Sequence, residues 1–344
     1  MRKTKVGMAM SGGVDSTACA LLLRKQYDVH GFFMQLAQPD INQQLVRVKD
    51  IAARCKIPLT VIDLSARFEE KVLSYFTNTY LDGRTPNPCM VCNPKIKFGL
   101  FMDAMLEHGM EEIATGHYAS IVEEDGCFFL QQGEDTIKDQ TYFLARLGQK
   151  QLARVKFPLG AMTKSAVYDL VEEHGFTDFR GRESQDVCFL QNESVGHFLT
   201  TRSPESARDG DIVHINGHVL GRHNGIINYT VGQRRGLGIA APSPLYVLKI
   251  DASANRVIVG DNDDLYQDSI EIQDVSWNCG KPPKSDHDYL VRIRYGHEGQ
   301  PAKIKQISED HYHISFTERQ RAVTPGQFAV IYEGDRLIGS GEIQ

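Results

Sequence analysis

The stretch from which this fold can be read is Met8–Ser16, MAMSGGVDS. An apolar run, Val6–Met10, predicts a buried parallel strand, and Thr17–Leu23 predicts the helix that follows it. Glycines in the turn between them let the backbone approach a ligand that a Cβ atom would exclude. The unpaired N–H groups at the start of the helix favour an anion at that place. The stretch therefore predicts a phosphate-binding loop between a strand and a helix.

The loop matches neither of the two commonest phosphate-binding patterns. It lacks the lysine and the spacing of G-x-x-x-x-G-K-[ST], and it is not G-x-G-x-x-G. The string Ser11–Ser16, SGGVDS, resembles the pyrophosphate loop of the N-type ATP pyrophosphatases. The resemblance implies an enzyme that cleaves ATP between the α- and β-phosphates and adenylates a substrate. It also implies that Asp15 helps to hold Mg²⁺ and that Ser11 and Ser16 contact phosphate.

The composition is that of an ordinary globular protein with more than one domain. The chain has 344 residues, 41% hydrophobic and 24% charged, so we expect two or three domains. No apolar run approaches the roughly 20 residues that span a bilayer, which predicts a cytoplasmic protein without a membrane partner. A net charge of −6 argues against a protein that coats nucleic acid indiscriminately, but it leaves room for local basic patches.

The first part of the chain alternates between strands and helices. Further strands are predicted at Val29–Met34 and Leu59–Leu64, and Glu112–Tyr118 is predicted to be a strand that enters a tight turn. Helices are predicted at Ile41–Cys55, Phe68–Tyr80, Lys95–Glu107, Thr141–Leu147, Lys164–His174 and Ser194–Thr201. This alternation predicts an α/β domain whose parallel sheet has helices on both faces and binds ligands at the carboxyl ends of its strands. Gly12, Met34 and Gly116 fall at such ends, where one pocket could collect them.

Beyond about residue 203 the pattern changes to short β-rich runs between glycine and Asp/Asn turns. This spacing favours a small β-rich module followed by a terminal β-barrel. We therefore predict three domains: a catalytic domain with a helical extension at 1–204, a central β-rich domain at 205–268, and a C-terminal barrel at 269–344.

Cys89 and Cys92 form a C-x-x-C pair in a Pro-rich segment. Such a pair can face one metal or form a disulfide, and a structural zinc site would need two more ligands. A thioredoxin-type pair is disfavoured, because the segment reads as a turn after a helix rather than a strand-to-helix junction. Cys188 alone would be a small core residue. The remaining cysteines are expected to pack as small hydrophobes: Cys19, Cys55, Cys127 and Cys279.

Taken together, strings along the whole chain resemble the tRNA-specific 2-thiouridylases, the MnmA/TrmU family. The matching strings are SGGVDS at 11–16, RTPNP at 84–88, CN at 92–93 with IKF at 96–98, ATGHY at 114–118, KDQTYFL at 138–144, SQDVCF at 184–189, TVGQRRGLG at 230–238 and TPGQ at 324–327. Any one of them could arise by chance, but their occurrence in this order is highly specific.

The resemblance implies a two-stage reaction: ATP adenylates the 2-oxygen of the wobble uridine of tRNA, then sulfur attacks C2 and AMP departs. It makes Cys92 the nucleophile, in need of a lowered pKa, and Cys188 the persulfide carrier. The implied ATP-site residues are Ala9, Met10, Ser11, Gly12, Gly13, Val14, Asp15, Ser16, Met34 and Gly116. Asn87, Pro88 and Cys89 match the segment that receives the target base. The other implied tRNA contacts are His117, Lys138, Asp139, Gln140, Arg294, Tyr295 and Gln327.

One position departs from the family pattern. The family has D-x-x-C where this chain has Cys89 and Cys92, so three thiols are available when Cys188 is included. We hypothesise that the three hold one [4Fe–4S] cluster with an open fourth iron, since thiolates are the usual cluster ligands. The alternative keeps Cys92/Cys188 persulfide chemistry and leaves Cys89 without a role. The segment between Met34 and Ile41 is also shorter than usual, which bears on how the ATP pocket is covered.

The expected partners are tRNA, which the family suggests to be those for Glu, Gln and Lys, and a sulfur donor protein or inorganic sulfide. Two other classes remain open. An adenylating ligase could use the same loop without needing Cys92 or Cys188. A non-catalytic tRNA-binding or iron–sulfur sensor protein would not release pyrophosphate.

Overall fold

A computed structural model describes residues 2–180, 187–190, 193–284 and 286–344. The helices are α1 (Val14–Leu23), α2 (Ile41–Cys55), α3 (Ser65–Phe68), α4 (Ser74–Leu81), α5 (Pro88–Cys92), α6 (Met102–Glu107), α7 (Thr141–Leu144), α8 (Gln149–Leu152), α9 (Lys164–Glu173) and α10 (Val195–Arg202). π-Helical segments, Glu69–Leu73 and Asn93–Phe101, join α3 to α4 and α5 to α6.

The strands fall into three sheets. They are β1 (Lys5–Ala9), β2 (Asp28–Gln35), β3 (Leu59–Asp63), β4 (Glu112–Ala114), β5 (Ser120–Glu124), β6 (Cys127–Gln131), β7 (Val155–Lys156), β8 (Gly210–His214), β9 (Val219–His223), β10 (Tyr246–Asp251), β11 (Arg256–Gly260), β12 (Tyr266–Trp277), β13 (Tyr289–Arg292), β14 (Gln300–Ser308), β15 (His311–Arg321), β16 (Phe328–Glu333) and β17 (Arg336–Ile343).

The first sheet is parallel, in the order β3-β2-β1-β4-β7, as the alternating pattern predicts. Side chains of a strand alternate between its two faces, and β2 shows this directly. Phe33 packs with α1 and α2 on one face, whereas Phe32 packs with the helical segment 93–107 on the other. Helices therefore cover both faces, and the α/β prediction is confirmed.

The β-rich half divides into a four-stranded sheet, β10-β11-β8-β9, and a closed barrel. The barrel runs β12-β15-β14-β13-β16-β17 and closes where β17 pairs with β12, for example Ile343 with Ile272. Closure removes the free edges that an open sheet would expose. A small β module followed by a barrel is thus confirmed, while β12 begins at Tyr266, before the predicted domain boundary.

The stretch Glu112–Tyr118 forms a strand that enters a turn, as predicted: β4 ends at Ala114, and Gly116 then lies against Asp15 and Ser16. One local prediction is wrong. Cys89 and Cys92 lie on α5, whose first residue is Pro88, and not in a turn. Proline is well suited to the first helical position, where its missing N–H would be unpaired in any case.

A hairpin that the sequence pattern did not predict joins the catalytic half to the barrel. Its strands β5 and β6 extend the barrel sheet through the pairing of Gln131 with Arg336 of β17. Cys127 at the start of β6 forms a disulfide with Cys279, with the two Cα atoms 6.0 Å apart. The prediction that these two cysteines pack separately is therefore wrong, whereas Cys19 and Cys55 are buried free thiols as expected.

In the described part of the chain, no helix is both long and apolar enough to cross a membrane.

Candidate functional site

The predicted phosphate-binding loop is held in shape by its own serines. Gly12 has a φ of +80°, a conformation that L side chains rarely adopt. The Ser16 hydroxyl accepts from the Ser11 amide at 3.3 Å and donates to the Gly13 carbonyl at 3.0 Å. These bonds close the turn before α1 and direct its backbone amides to one place, which suits anion binding.

The turn after β4 packs directly on this loop. A Cβ atom added at Gly116 would lie 3.0 Å from Asp15 atoms and 3.1 Å from the Ser16 amide nitrogen. Only a glycine lets the two backbones approach so closely. The predicted ATP-site residues on β1, β2 and the β4 turn therefore lie at adjacent strand ends, as parallel topology demands.

Asp15 is engaged by two side chains that the sequence reasoning did not single out. Lys164, only 14% exposed, places its ammonium 2.8 and 2.9 Å from the two carboxylate oxygens. The Tyr118 hydroxyl donates to Asp15 at 2.7 Å, and burial and the neighbouring carboxylate raise the Tyr118 pKa. One signal was available for Lys164: it opens a helix, where the dipole disfavours a positive charge, so a partner anion is expected.

The three thiols of interest are neighbours. Burial raises the pKa of Cys89 to about 11, and the neighbouring Cys188 adds to this. Burial raises the pKa of Cys92 to about 12, with smaller contributions from Cys188 and Cys89. Cys188 is exposed as a residue, but protein atoms around its sulfur raise its pKa too. The lowered pKa expected for Cys92 is therefore not found in this state.

One cation opposes these shifts. Lys97 acts on the three sulfurs and partly offsets the effect of burial on the pKa of each. It lies five positions after Cys92 in the π-helical segment, whose hydrogen bonds join residues five apart. Lys97 and Cys92 therefore lie on the same side of this segment.

The thiols as placed do not form a metal site. Within the described ranges, no group of three or more His, Cys, Asp or Glu side chains is arranged to hold a metal ion. The predicted [4Fe–4S] cluster thus has no support in this arrangement. Of the predicted motif SQDVCF, residues 184–186 lie outside the described part of the chain.

The segment predicted to receive the target base is hydrogen-bonded to the barrel domain. The Gln327 side chain donates to the carbonyls of Thr85 and Pro86 at 2.9 and 3.2 Å. The Thr85 amide donates to the Pro325 carbonyl at 2.9 Å. The strings RTPNP and TPGQ, far apart in the sequence, are therefore joined by these hydrogen bonds, which we call the clamp. Asn87, the residue that follows Pro86 in the chain, is buried.

The other predicted tRNA contacts are divided between surface and interior. Exposed Tyr295 lies beside Phe143, with their ring centroids 4.4 Å apart, and the neighbouring Arg294 is exposed as well. Asp139 is only 3% exposed and pairs with Arg292 of the barrel at 2.9 Å. Gln140 accepts from the Tyr118 amide at 3.0 Å. As placed, Asp139 thus joins domains, whereas Arg294 and Tyr295 face outward.

His117 connects the two halves of the site. Its Nε2 lies 3.3 Å from the Lys97 ammonium, while the preceding Gly116 touches the phosphate-binding loop. One three-residue turn, Thr115–His117, therefore contacts the anion loop on one side and the thiol neighbourhood on the other.

The fold and site define a multidomain enzyme with an anion-binding α/β domain, a thiol centre and two β domains. Three family models cover the chain in this order: a tRNA methyl transferase HUP domain at residues 4–192, a tRNA methyl transferase PRC-barrel domain at 196–261, and an aminomethyltransferase beta-barrel domain at 267–343.

Curated relatives match over the whole length. A tRNA-specific 2-thiouridylase MnmA of Desulfotalea psychrophila is 51% identical over 344 residues, covering 100% of both chains. Another from Trichlorobacter lovleyi is 41% identical over 347 residues, covering 99% of this chain and 98% of its own. The chain belongs to the tRNA-specific 2-thiouridylase (MnmA) family.

Proposed function

We propose that this protein uses ATP to adenylate the 2-oxygen of the wobble uridine (position 34) of tRNA and replaces that oxygen with sulfur. The observation that carries the proposal is the Thr115–His117 turn, which touches both the anion loop and the thiol neighbourhood. Adenylation and sulfur transfer must occur at one base. The ATP-binding loop and the thiols therefore have to lie next to each other, on either side of the same segment of chain. Membership of the 2-thiouridylase family supports the same reaction.

The loop Ala9–Ser16, with Met34 and Gly116, would bind ATP. Mg²⁺ is commonly held by one or two carboxylates together with substrate phosphates, so a single carboxylate, Asp15, fits this need. In this proposal Asp15 would hold Mg²⁺, and Lys164, which pairs with Asp15 here, would contact the phosphates instead. Mg²⁺ would neutralise phosphate charge as pyrophosphate leaves.

Sulfur transfer is proposed to use Cys92 and Cys188. The terminal sulfur of a Cys188 persulfide attacks C2, the C2–O bond breaks, and AMP leaves with the bonding electron pair. The Cys92 thiolate then attacks the Cys188 sulfur, which releases 2-thiouridine and leaves a Cys92–Cys188 disulfide. A thiol reductant must return two electrons before the next turnover. Because the thiols as placed do not fit a metal, no step is assigned to a cluster.

The tRNA would enter beside Asn87–Cys89 and the exposed pair Arg294 and Tyr295. The wobble base must leave its stack to reach the thiols, and exposed aromatic rings with a cation suit unpaired bases and phosphates. Lys138, Asp139, Gln140, His117 and Gln327 remain predicted contacts. The tRNAs for Glu, Gln and Lys are the proposed substrates. The proposed source is a sulfur donor protein, whose persulfide passes its outer sulfur to the Cys188 thiolate and leaves as a thiolate. Sulfide would serve only by attacking the Cys92–Cys188 disulfide, which leaves a persulfide on Cys188 and a thiolate on Cys92.

The test measures 2-thiouridine by mass spectrometry in unmodified tRNA incubated with ATP, Mg²⁺, sulfide and a low-molecular-weight persulfide, which passes its outer sulfur to the Cys188 thiolate and leaves as a thiolate. Protein is purified without oxygen and assayed with and without iron–sulfur reconstitution. Product in both arms supports thiolation without a cluster, whereas product only after reconstitution would restore the cluster hypothesis.

Variants separate the competing functions. Cys92→Ala and Cys188→Ala should abolish thiolation and retain tRNA-dependent pyrophosphate release, with Cys55→Ala as the control for a buried, uninvolved thiol. If wild-type protein forms no 2-thiouridine in either arm but still releases AMP, the proposal fails in favour of an adenylating ligase. The absence of tRNA-dependent pyrophosphate would point to a non-catalytic binding protein.

A further inference from the structure

Lys97 is held by a short chain of side chains that begins at the end of β4. The His117 ring packs against Phe98 and Phe157, with ring centroids 5.7 and 5.9 Å away. Its Nδ1 is 2.7 Å from the Thr115 hydroxyl, and its Nε2 is 3.3 Å from the Lys97 ammonium. Both ring nitrogens of His117 are therefore used inside the protein.

The chemistry of the partners fixes the tautomer. An ammonium group can only donate hydrogen bonds, so Nε2 of His117 must accept from Lys97. Nδ1 then carries the proton and donates to the Thr115 hydroxyl. Burial, reinforced by the charge of Lys97, lowers the His117 pKa well below its usual value, which keeps the ring neutral. A neutral acceptor of this kind orients the ammonium group of Lys97 by a hydrogen bond and does not neutralise its positive charge.

Lys97 lies on the same side of the π-helical segment as Cys92, five positions further along the chain. Lys97 is half-buried and favours the charged form of Cys89, Cys92 and Cys188 alike. Sulfur that attacks C2 does so as an anion, and the partly buried surroundings disfavour an uncompensated negative charge. A fixed cation in such a place stabilises developing charge without reorganising.

We infer that Lys97 is the cation that stabilises anionic sulfur during transfer to the activated base, and that His117 and Thr115 are the residues that position it. This inference rests on the proposed thiolation. The sequence predicted His117 as a contact to tRNA, whereas this inference gives its side chain a role inside the protein, where it positions Lys97.

The first test compares Lys97→Met and Lys97→Arg with Lys95→Met in single-turnover assays. Lys95 lies on the same segment and is exposed, so it matches Lys97 in type and position but not in surroundings. We expect Lys97→Met to keep tRNA-dependent pyrophosphate release while thiolation slows about 10- to 100-fold. Lys97→Arg should recover part of the rate, and Lys95→Met should match the wild type.

Two outcomes would overturn the inference. One is Lys97→Met thiolation at the wild-type rate. The other is an equal loss of pyrophosphate release and thiolation, which would mark Lys97 as merely structural. If the wild type itself forms no 2-thiouridine, the failure belongs to the proposed function instead.

A second readout does not depend on activity. Nitrogen-15 NMR of histidine-labelled protein, assigned with His117→Gln, should report a neutral ring protonated at Nδ1. In Lys97→Met this signature should change, because Nε2 loses its donor. A wild-type spectrum with the proton on Nε2 would contradict the proposed arrangement.

Discussion

The anion loop and the thiol segment lie on either side of one turn, yet they are built in different ways. The loop Ser11–Ser16 is closed by bonds among its own residues. The thiol segment is held by distant residues: Gln151 donates to the carbonyls of Pro94 and Phe98, Asn93 donates to the Phe143 carbonyl, and Gln327 holds Thr85. The difference teaches that the shape of the loop is encoded locally, whereas the position of the thiols depends on the assembled domains.

The largest effect is expected from a side chain at Gly116. Gly116→Val would force apart the turn and the start of α1, since even a Cβ would lie 3.0 Å from Asp15 atoms. We expect ATP affinity to fall at least about 100-fold, measured by calorimetry. Gly148→Ala is the control, because that position has open space and an ordinary φ of −91°. Unchanged affinity in Gly116→Val would show that the close approach is not needed.

The second prediction concerns the thiol side and pH. Because burial raises the pKa of Cys92 to about 12, its thiolate fraction should rise about tenfold per pH unit across the range 8–11. Alkylation of Cys92 by iodoacetamide, followed by mass spectrometry, should show this slope. An unstructured cysteine peptide in the same tube should level off above about pH 9. A Cys92 profile that levels off with the peptide would contradict the burial effect.

The same pKa shift has a consequence for stability. The folded-state pKa of Cys92 lies above that of an unfolded thiol, about 8.5, so the folded state keeps its proton longer. This contribution to the free energy of unfolding is present below about pH 8.5 and is lost as the pH rises towards 12.

The third prediction returns to the local site. Lys164→Met removes the cation that pairs with Asp15. ATP affinity should fall about tenfold if the lysine moves to the phosphates, because a charge-assisted contact is lost. Lys49→Met on α2 serves as a control on an exposed face. Tighter ATP binding by Lys164→Met would mean that Lys164 only competes with Mg²⁺ for Asp15.

The smallest effect should come from loosening the clamp on the thiol segment. Gly326 has a φ of +89°, and a Cβ there would lie 2.8 Å from the Thr85 carbonyl oxygen. Gly326→Ala should lower the free energy of unfolding by about 1–3 kcal/mol and slow thiolation severalfold, with ATP affinity unchanged. Gly334→Ala, with a φ of +63° and open space, isolates the cost of φ alone. If the two variants lower the free energy of unfolding and the thiolation rate equally, the contact between Gly326 and Thr85 does not contribute to either.

The sequence predicted the structures that depend on local residues and missed those that depend on contacts between distant residues. The bounds of α2 were predicted correctly because its apolar residues recur at helical spacing. The hairpin β5–β6 was missed, although Asp125 and Gly126, both with positive φ, are typical of a tight hairpin turn between β runs. The contact of Gln327 with Thr85 joins residues 242 positions apart, which no local pattern encodes.

The candidate site divides in the same manner. The residue types of the anion loop and its place between strand and helix indicated their role, and the structure brings the loop, Met34 and Gly116 to adjacent strand ends. The inward-facing His117 and the raised pKa values of the thiols depend on packing from other segments. Sequence alone therefore indicated which thiols to examine but not the surroundings that set their chemistry.

The disulfide between Cys127 and Cys279 turns the intervening backbone into a covalent ring. Strands β7 to β11, and so the whole of the central sheet, lie inside this ring. One peptide-bond cleavage anywhere within it would leave a single covalently connected molecule until the disulfide is reduced. Proteolysis of the oxidised protein would thus be visible only on a reducing gel.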